Sequence, residues 1–173
     1  MTITRLAAIG FSFLLLMSAH ALSQQPAQPQ FKSSELKVTV NRAKRNAAGQ
    51  LAASLVILNI SHENIALYGT GGAAIMTDTG ETSESSDAGG LPICTTSCQI
   101  PHAAIGVYVD PVIVERDNAM MATFVFPGNA NSGSCSIDLT IRVYVARLGE
   151  SMQLSTKDQW HQMSIGLANV QVC

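Results

Sequence analysis

Residues 136–148 read SIDLTIRVYVARL, the longest continuous strand pattern in the chain. Apolar side chains occupy every second position from Ile137 to Val145, and the positions between them are largely polar. Because successive side chains of a β-strand point to opposite faces of a sheet, this alternation predicts a strand with one face in a protein core. No stretch of the sequence shows the long apolar period of about 3.6 residues that is typical of an amphipathic helix. The pattern therefore favours an all-β protein.

Shorter strand patterns flank this segment. Residues 51–60 (LAASLVILNI) are apolar at nearly every position, which is typical of a central strand buried on both faces. Residues 69–72 (GTGG) interrupt another strand, because glycine accepts the backbone angles of a bulge or turn. Further strand patterns occupy residues 36–41, 65–68, 73–77, 103–109, 112–115, 121–126 and 160–172. About seven to nine short strands at this spacing predict an antiparallel immunoglobulin-like β-sandwich, in which two sheets bury their apolar faces against each other.

The N-terminal segment has the three parts of a secretory signal peptide. Residues 1–21 contain a positive charge at Arg5, a short apolar run at 6–17 and a closing A-x-A site. The run is shorter than the ~20 residues of a membrane-spanning helix. We therefore expect a signal peptide at 1–21, a flexible polar leader at 22–34 and a single β-sandwich domain at 35–173.

Four cysteines, an even number, lie after the predicted cleavage site, and in an exported chain they indicate disulfides. If the strands at 136–148 and 160–172 pair antiparallel, Cys135 at the start of the first lies beside Cys173 at the end of the second, as a bridge requires. This reasoning predicts Cys135–Cys173 and leaves Cys94–Cys98 to close a small loop. Zinc is the alternative, although structural zinc sites favour paired C-x2-C motifs that this sequence lacks.

Composition argues against nucleic acid as a partner and against a membrane-spanning segment in the mature chain. The formal net charge is −2, so no basic excess is available to neutralise nucleic-acid phosphates. After signal cleavage no apolar run is long enough to span a membrane. We expect a protein or a cell-surface ligand as the partner.

Metal binding is the alternative function. His161 and Met163 lie two positions apart, so on a strand both would point to one face and could bind one copper ion. The Cys-x-His-x-Met arrangement of a blue-copper loop is absent. The acidic segment at 78–90 (DTGETSESSDAGG) could bind calcium, but its spacing differs from that of an EF-hand loop.

A hydrolase is the third possibility. The sequence has no G-x-S-x-G motif, and the mature chain has three histidines, His62, His102 and His161. A catalytic triad needs a nucleophile, a base and an orienting group that converge in space. No such set is evident, so we expect no enzymatic activity, no catalytic residues and no cofactor.

One family resemblance rests on short motifs between residues 35 and 145. These are an L-x-V-x-V strand, the LVILNIS strand that ends near Asn59, an I-x-x-D-x-G segment at 75–80 and an F-x-F-P strand at 124–127. In this order they resemble telokin-like bacterial domains, which are small exported immunoglobulin-like sandwiches. The resemblance implies a periplasmic or secreted β-sandwich and assigns no functional residues. Together with the composition, it favours a non-enzymatic binding or accessory module that presents loops or a sheet edge to its partner.

Overall fold

The computed structural model describes residues 28–70, 73–94, 111–128, 133–148 and 160–173. The predicted signal peptide, the predicted strand at 103–109 and Cys98 lie outside these ranges. The described part is all-β and has twelve strands: β1 (Gln30–Lys32), β2 (Leu36–Arg45), β3 (Leu51–Asn59), β4 (Asn64–Thr70), β5 (Ala74–Thr77), β6 (Thr82–Glu84), β7 (Asp87–Gly89), β8 (Ile93–Cys94), β9 (Val112–Val114), β10 (Ala119–Phe126), β11 (Ser136–Leu148) and β12 (Trp160–Gln171). Among these residues no helix has the length and hydropathy needed to cross a membrane.

The strands form two sheets, and the predicted immunoglobulin-like β-sandwich is confirmed. Sheet A has five strands in the order β1-β2-β3-β10-β7. Sheet B has seven strands and is built around β11, with β12 on one side and β4 and β5 on the other. Strand β6 pairs with β5, and β8 and β9 pair with β4. All pairings are antiparallel except that of β4 with β8.

The long strand β11 orders sheet B. Its inward row is fully buried, as the alternating pattern predicts, and β4 and β5 follow one another along its other edge. Gly69 pairs with Val143 and Ala74 pairs with Thr140. The chain therefore advances five residues from Gly69 to Ala74 while it passes only three residues of β11. The two surplus residues lie between Gly69 and Ala74, where the sequence predicts an interruption of the strand.

The core lies between the two sheets. Every second residue of β3, from Leu51 to Ile57, is buried, and so are the inward residues of β10, which include Phe124 and Phe126. The prediction that β3 is buried on both faces is wrong. Its outer face has Ala52 exposed and other side chains half-buried, because only the inner face meets the opposite sheet.

The pairing of β11 with β12 runs from Ser136 opposite Gln171 to Ala146 opposite Trp160. A one-residue shift near Asn169 forms a bulge, in which Asn169 has a φ of 57° and its backbone N–H donates to Oδ1 of Asp138 at 2.9 Å. Asparagine tolerates this left-handed conformation better than most residues.

Beyond the bulge the chain terminus lies against the start of β11. The Cys135–Cys173 disulfide joins them with a Cα–Cα distance of 4.9 Å, and the N–H of Val172 donates to the carbonyl of Cys135 at 3.0 Å. The bridge deduced from strand order is therefore present in the structure. The side chain of Cys94 and all of Cys98 lie outside the description, so the Cys94–Cys98 bridge stays a prediction.

Sheet A begins earlier than the sequence indicates. Strand β1 lies inside the segment 22–34 that was expected to be a flexible leader, and it pairs with Lys37–Thr39 of β2. Phe31 packs against the core, and the burial of its side chain favours the pairing of β1 with β2. A strand of three residues is too short to show a period of two in the sequence.

The end of β11 also departs from expectation on its outer face. Ala146 and Leu148 are buried there with Ala66 and Trp160, although the outer face was expected to be largely polar. The rings of Tyr68 and Trp160 lie 5.1 Å apart between centroids. The two alanines carry little side-chain bulk, which leaves room for these rings on the sheet.

Candidate functional site

His161 does not stand free for a metal. Its Nε2 atom lies 2.8 Å from Oε2 of Glu35, and Nε of Arg147 donates to Oε1 of the same carboxylate at 2.7 Å. The side chain of Glu35 is only 5% exposed, whereas those of Arg147 and His161 are about half exposed. Each carboxylate oxygen therefore has a cationic or ring N–H partner at the edge of the core.

This cluster joins the two sheets. Glu35 directly precedes β2 of sheet A, and Arg147 and His161 belong to β11 and β12 of sheet B. The backbone carbonyl of Glu35 also accepts a hydrogen bond from the N–H of Ile60 at 2.8 Å, which fixes the position of the carboxylate. With both oxygens engaged, the carboxylate has a structural role that the sequence analysis missed. This role becomes visible only when the strand pairing is known, because the pairing brings the three residues together.

Met163 has a different environment from His161. It is half-buried and packs against the main core, so the two proposed copper ligands are held by separate contacts. Among the described residues there is no group of three or more His, Cys, Asp or Glu side chains that could hold a metal ion.

The acidic segment forms a turn and two short strands. Strands β5 and β6 are joined by a tight turn in which Gly80 has a φ of 82° and its N–H donates to the carbonyl of Thr77 at 2.9 Å. Asp78, Glu81 and Glu84 are exposed. His62 is also exposed, in the connection between β3 and β4, whereas His102 lies outside the described residues. The described histidines, His62 and His161, therefore lie in separate elements.

Asn59 is a second inter-sheet link. Its side chain is fully buried at the end of β3, and its Nδ2 donates to the carbonyls of Glu63 and Val114 at 2.8 and 3.0 Å. Its Oδ1 accepts from the N–H and hydroxyl of Ser61 at 2.9 and 2.7 Å. Because Val114 belongs to β9 of sheet B, this amide connects the sheets through main-chain groups. The only sequence signal is a polar residue at the end of an apolar strand.

Strand β12 forms an unpaired edge of sheet B in the described part of the chain. Strand β12 pairs with β11 on one side, and no other described strand pairs with its opposite side. Its sequence, WHQMSIGLANVQ, contains no Lys, Arg, Asp, Glu or Pro. Sheet edges in soluble proteins are usually protected by charges, prolines, bulges or short length. Here the bulge protects only the end of the strand, and residues 160–167 form a regular edge without Lys, Arg, Asp, Glu or Pro.

The other edges are protected differently. Strands β1, β6 and β7 have three residues each, and β1 and β6 carry Lys32 and Glu84 respectively. Such short strands offer few main-chain groups to an added strand. Strand β12 is therefore the best candidate for the site at which this sandwich meets a partner.

Comparisons with known proteins concern the fold. No protein-family model matches the chain, and no curated protein matches it significantly. One similar solved structure is Northeast Structural Genomics Consortium target SoR45, with 14% identity, a TM-score of 0.45, and coverage of 80% of this chain and 90% of that one. Another is the ASH/PapD-like domain 7 of human CEP192, with 11% identity, a TM-score of 0.36, and coverage of 89% and 97%. The fold of this chain is therefore assigned from its own strand pairing.

Proposed function

We propose that this protein is an exported, non-enzymatic binding module that accepts an extended segment of a partner polypeptide along the open edge of β12. The observation that carries the proposal is the regular edge at residues 160–167, which has no Lys, Arg, Asp, Glu or Pro. An added strand gains main-chain hydrogen bonds along such an edge, and alternate side chains give specificity. The exposed, uncharged side chains of Gln162 and Ser164 do not oppose an incoming strand by charge.

The disulfide supports the exported part of the proposal. Bridges such as Cys135–Cys173 form and persist in oxidising compartments, which include the bacterial periplasm and the extracellular space. We assign the protein to one of these two locations. The finer assignment to telokin-like domains belongs to the same proposal and rests on the motifs between residues 35 and 145.

Export predicts a defined N-terminus. The mature protein is expected to begin at Leu22 and to occur outside the cytoplasm, because the A-x-A site ends at Ala21. N-terminal sequencing of protein from fractionated cells measures this directly. A cytoplasmic species that retains Met1 would contradict the prediction.

The edge is tested by photocrosslinking in the full chain. A photoreactive amino acid at Gln162 or Gly166 is expected to give a discrete adduct with a partner protein, since both positions are exposed on β12. The same amino acid at Ala47 or His62, which are exposed in loops, should give none. Hydrogen exchange of the purified complex should then show slower exchange of the β12 amides.

Charges on the edge provide the matched comparison. The pair Gln162→Lys and Gly166→Lys is expected to weaken partner binding by about tenfold or more, because lysine on an edge strand opposes strand addition. A Cβ at Gly166 has no heavy atom within 4 Å, so the fold should accept it. The control pair Ala47→Lys and His62→Lys adds the same charge in loops and should bind like the wild type. Equal losses for both pairs, or unchanged binding for the edge pair, would refute the assignment.

A further inference from the structure

The outer face of sheet A carries an unexpected row of positive charge. Lys37, Arg42 and Lys44 lie along β2, and Lys32 of β1 pairs opposite Lys37. Leu36, Val38 and Val40 point into the core, so Lys37 faces outward. A bulge at Asn41 then shifts the alternation by one residue, so Arg42 and Lys44 pair with the outward residues Ser54 and Ala52 and also face outward. We call the surface formed by Lys32, Lys37, Arg42 and Lys44 the cationic face.

The charge on this face differs from that of the whole molecule. The chain has a formal net charge of −2, yet five of its ten Lys and Arg residues fall within residues 30–45. The single acidic residue in that stretch is Glu35, which is buried against Arg147 and His161. In the part of the chain that the structure describes, none of the four basic residues of the cationic face forms an ion pair. Their charge is therefore available to an anionic partner.

An apolar strip lies beside the cationic face. In the register of sheet A, Lys37 pairs with Leu58 and Thr39 with Val56, and Val56 pairs on its other side with Met121. Met121 is 55% exposed, whereas Val56 and Leu58 are half-buried. The apolar strip of Leu58, Val56 and Met121 therefore lies beside the Lys37 end of the basic row. At the other end, Arg42 lies beside Ser54, which pairs with Thr123.

The spacing of the basic row fits an extended chain. Strand residues that share a face repeat every ~6.6 Å at a rise of ~3.3 Å per residue, and Arg42 and Lys44 are two residues apart. Because the bulge takes up one residue of β2, Lys37 and Lys44 lie opposite Leu58 and Ala52, and the row spans roughly 20 Å at that rise. Carboxylates at alternate positions of an extended peptide have the same repeat. A lipid bilayer fits less well, because most of the apolar strip is recessed in the sheet and could not insert to the ~5–10 Å of interfacial anchors.

We propose that the cationic face binds an acidic segment of a polypeptide in extended conformation, with its carboxylates on Arg42 and Lys44 and an apolar side chain against Met121. This surface lies on the opposite sheet from β12 and does not depend on the strand-addition site. The cationic face gives the module a second contact surface, and the charge of this surface selects an acidic partner.

The test uses purified oxidised mature protein and a fluorescein-labelled peptide of about twelve residues, enough to span the row, that alternates glutamate with threonine and has one central leucine. Fluorescence anisotropy at low salt is expected to show binding that weakens steeply as salt is added. The variant Arg42→Glu with Lys44→Glu should weaken binding at least about tenfold, and Met121→Ser should weaken it less. A peptide with lysine in place of glutamate should not bind.

The matched control is Arg116→Glu with Arg142→Glu, which makes the same change in net charge at exposed positions elsewhere. This control should keep most of the peptide affinity. Equal losses in both double variants would overturn the proposal in favour of a general charge effect. Binding to phosphatidylglycerol vesicles without binding to the peptide would overturn it in favour of a membrane surface. If the double variant fails to fold by circular dichroism, the single variants Arg42→Ala and Lys44→Ala replace it, and unchanged affinity in both would refute the proposal.

Discussion

Replacing Cys135 and Cys173 together with serine is expected to lower the free energy of unfolding by about 3–4 kcal/mol. The two residues are 38 positions apart, so the disulfide closes a long loop in the unfolded chain, and the chain-entropy model gives a loss of this size. Both residues are exposed, so the substitution removes little packing. The bridge also holds the chain terminus beside β11, which would otherwise fray.

Urea unfolding of the oxidised wild type and the double variant, followed by the fluorescence of the single tryptophan, Trp160, measures this difference. Replacing Cys94 and Cys98 with serine is the matched comparison. We expect a smaller loss for that pair, because a short loop restricts the unfolded chain less. Non-reducing peptide mapping should recover Cys173 linked to Cys135. A map that joins Cys98 to Cys135 would contradict the whole assignment.

Strands whose sequence pattern is long enough could be predicted well. The bounds of β11 follow from its thirteen residues of alternating pattern, and its pairing with β12 follows from chain order and from the cysteines at their ends. By contrast β1, β6, β7 and β8 have two or three residues each, and a period of two cannot be recognised in so few positions. The outline of sheet B was therefore predictable, whereas the outer strands of both sheets were not.

The sites could be predicted less well than the fold, because they depend on contacts between distant parts of the chain. Glu35 lies 112 positions before its partner Arg147, and neither has a local motif. The cationic face requires the register of β2 against β3, which decides that Arg42 points outward. His161 and Met163 do share a strand, as predicted, yet the first contacts Glu35 and the second the core. Spacing along a strand gives the face of a residue but not its neighbours.

Asn59 is expected to have the second largest effect on stability. Asn59→Leu should lower the free energy of unfolding by about 3 kcal/mol, because it keeps a similar volume but removes four side-chain hydrogen bonds in the core, and each buried group left without a partner costs ~1–3 kcal/mol. The N–H of Ser61 and the carbonyl of Val114 lose their bonds to this side chain, and so do the hydroxyl of Ser61 and the carbonyl of Glu63, which keep their bond to each other. Because Ser61 and Glu63 also contact each other, part of the loss is relieved locally.

A second substitution at this position separates the donors from the acceptors. Asn59→Asp keeps the oxygen that accepts from the N–H and the hydroxyl of Ser61, but it loses the N–H donors. It also places a buried carboxylate against the carbonyls of Glu63 and Val114. We expect a loss at least as large as that of Asn59→Leu, since an unpaired charge costs more to bury than a neutral group. Asn41→Ala, at an exposed position of β2, is the control and should change stability by less than about 0.5 kcal/mol. Urea unfolding measures all three. If Asn59→Asp were as stable as the wild type, the side-chain N–H bonds to Glu63 and to Val114 of β9 would contribute nothing, and the amide could not be the link that joins β3 of sheet A to sheet B.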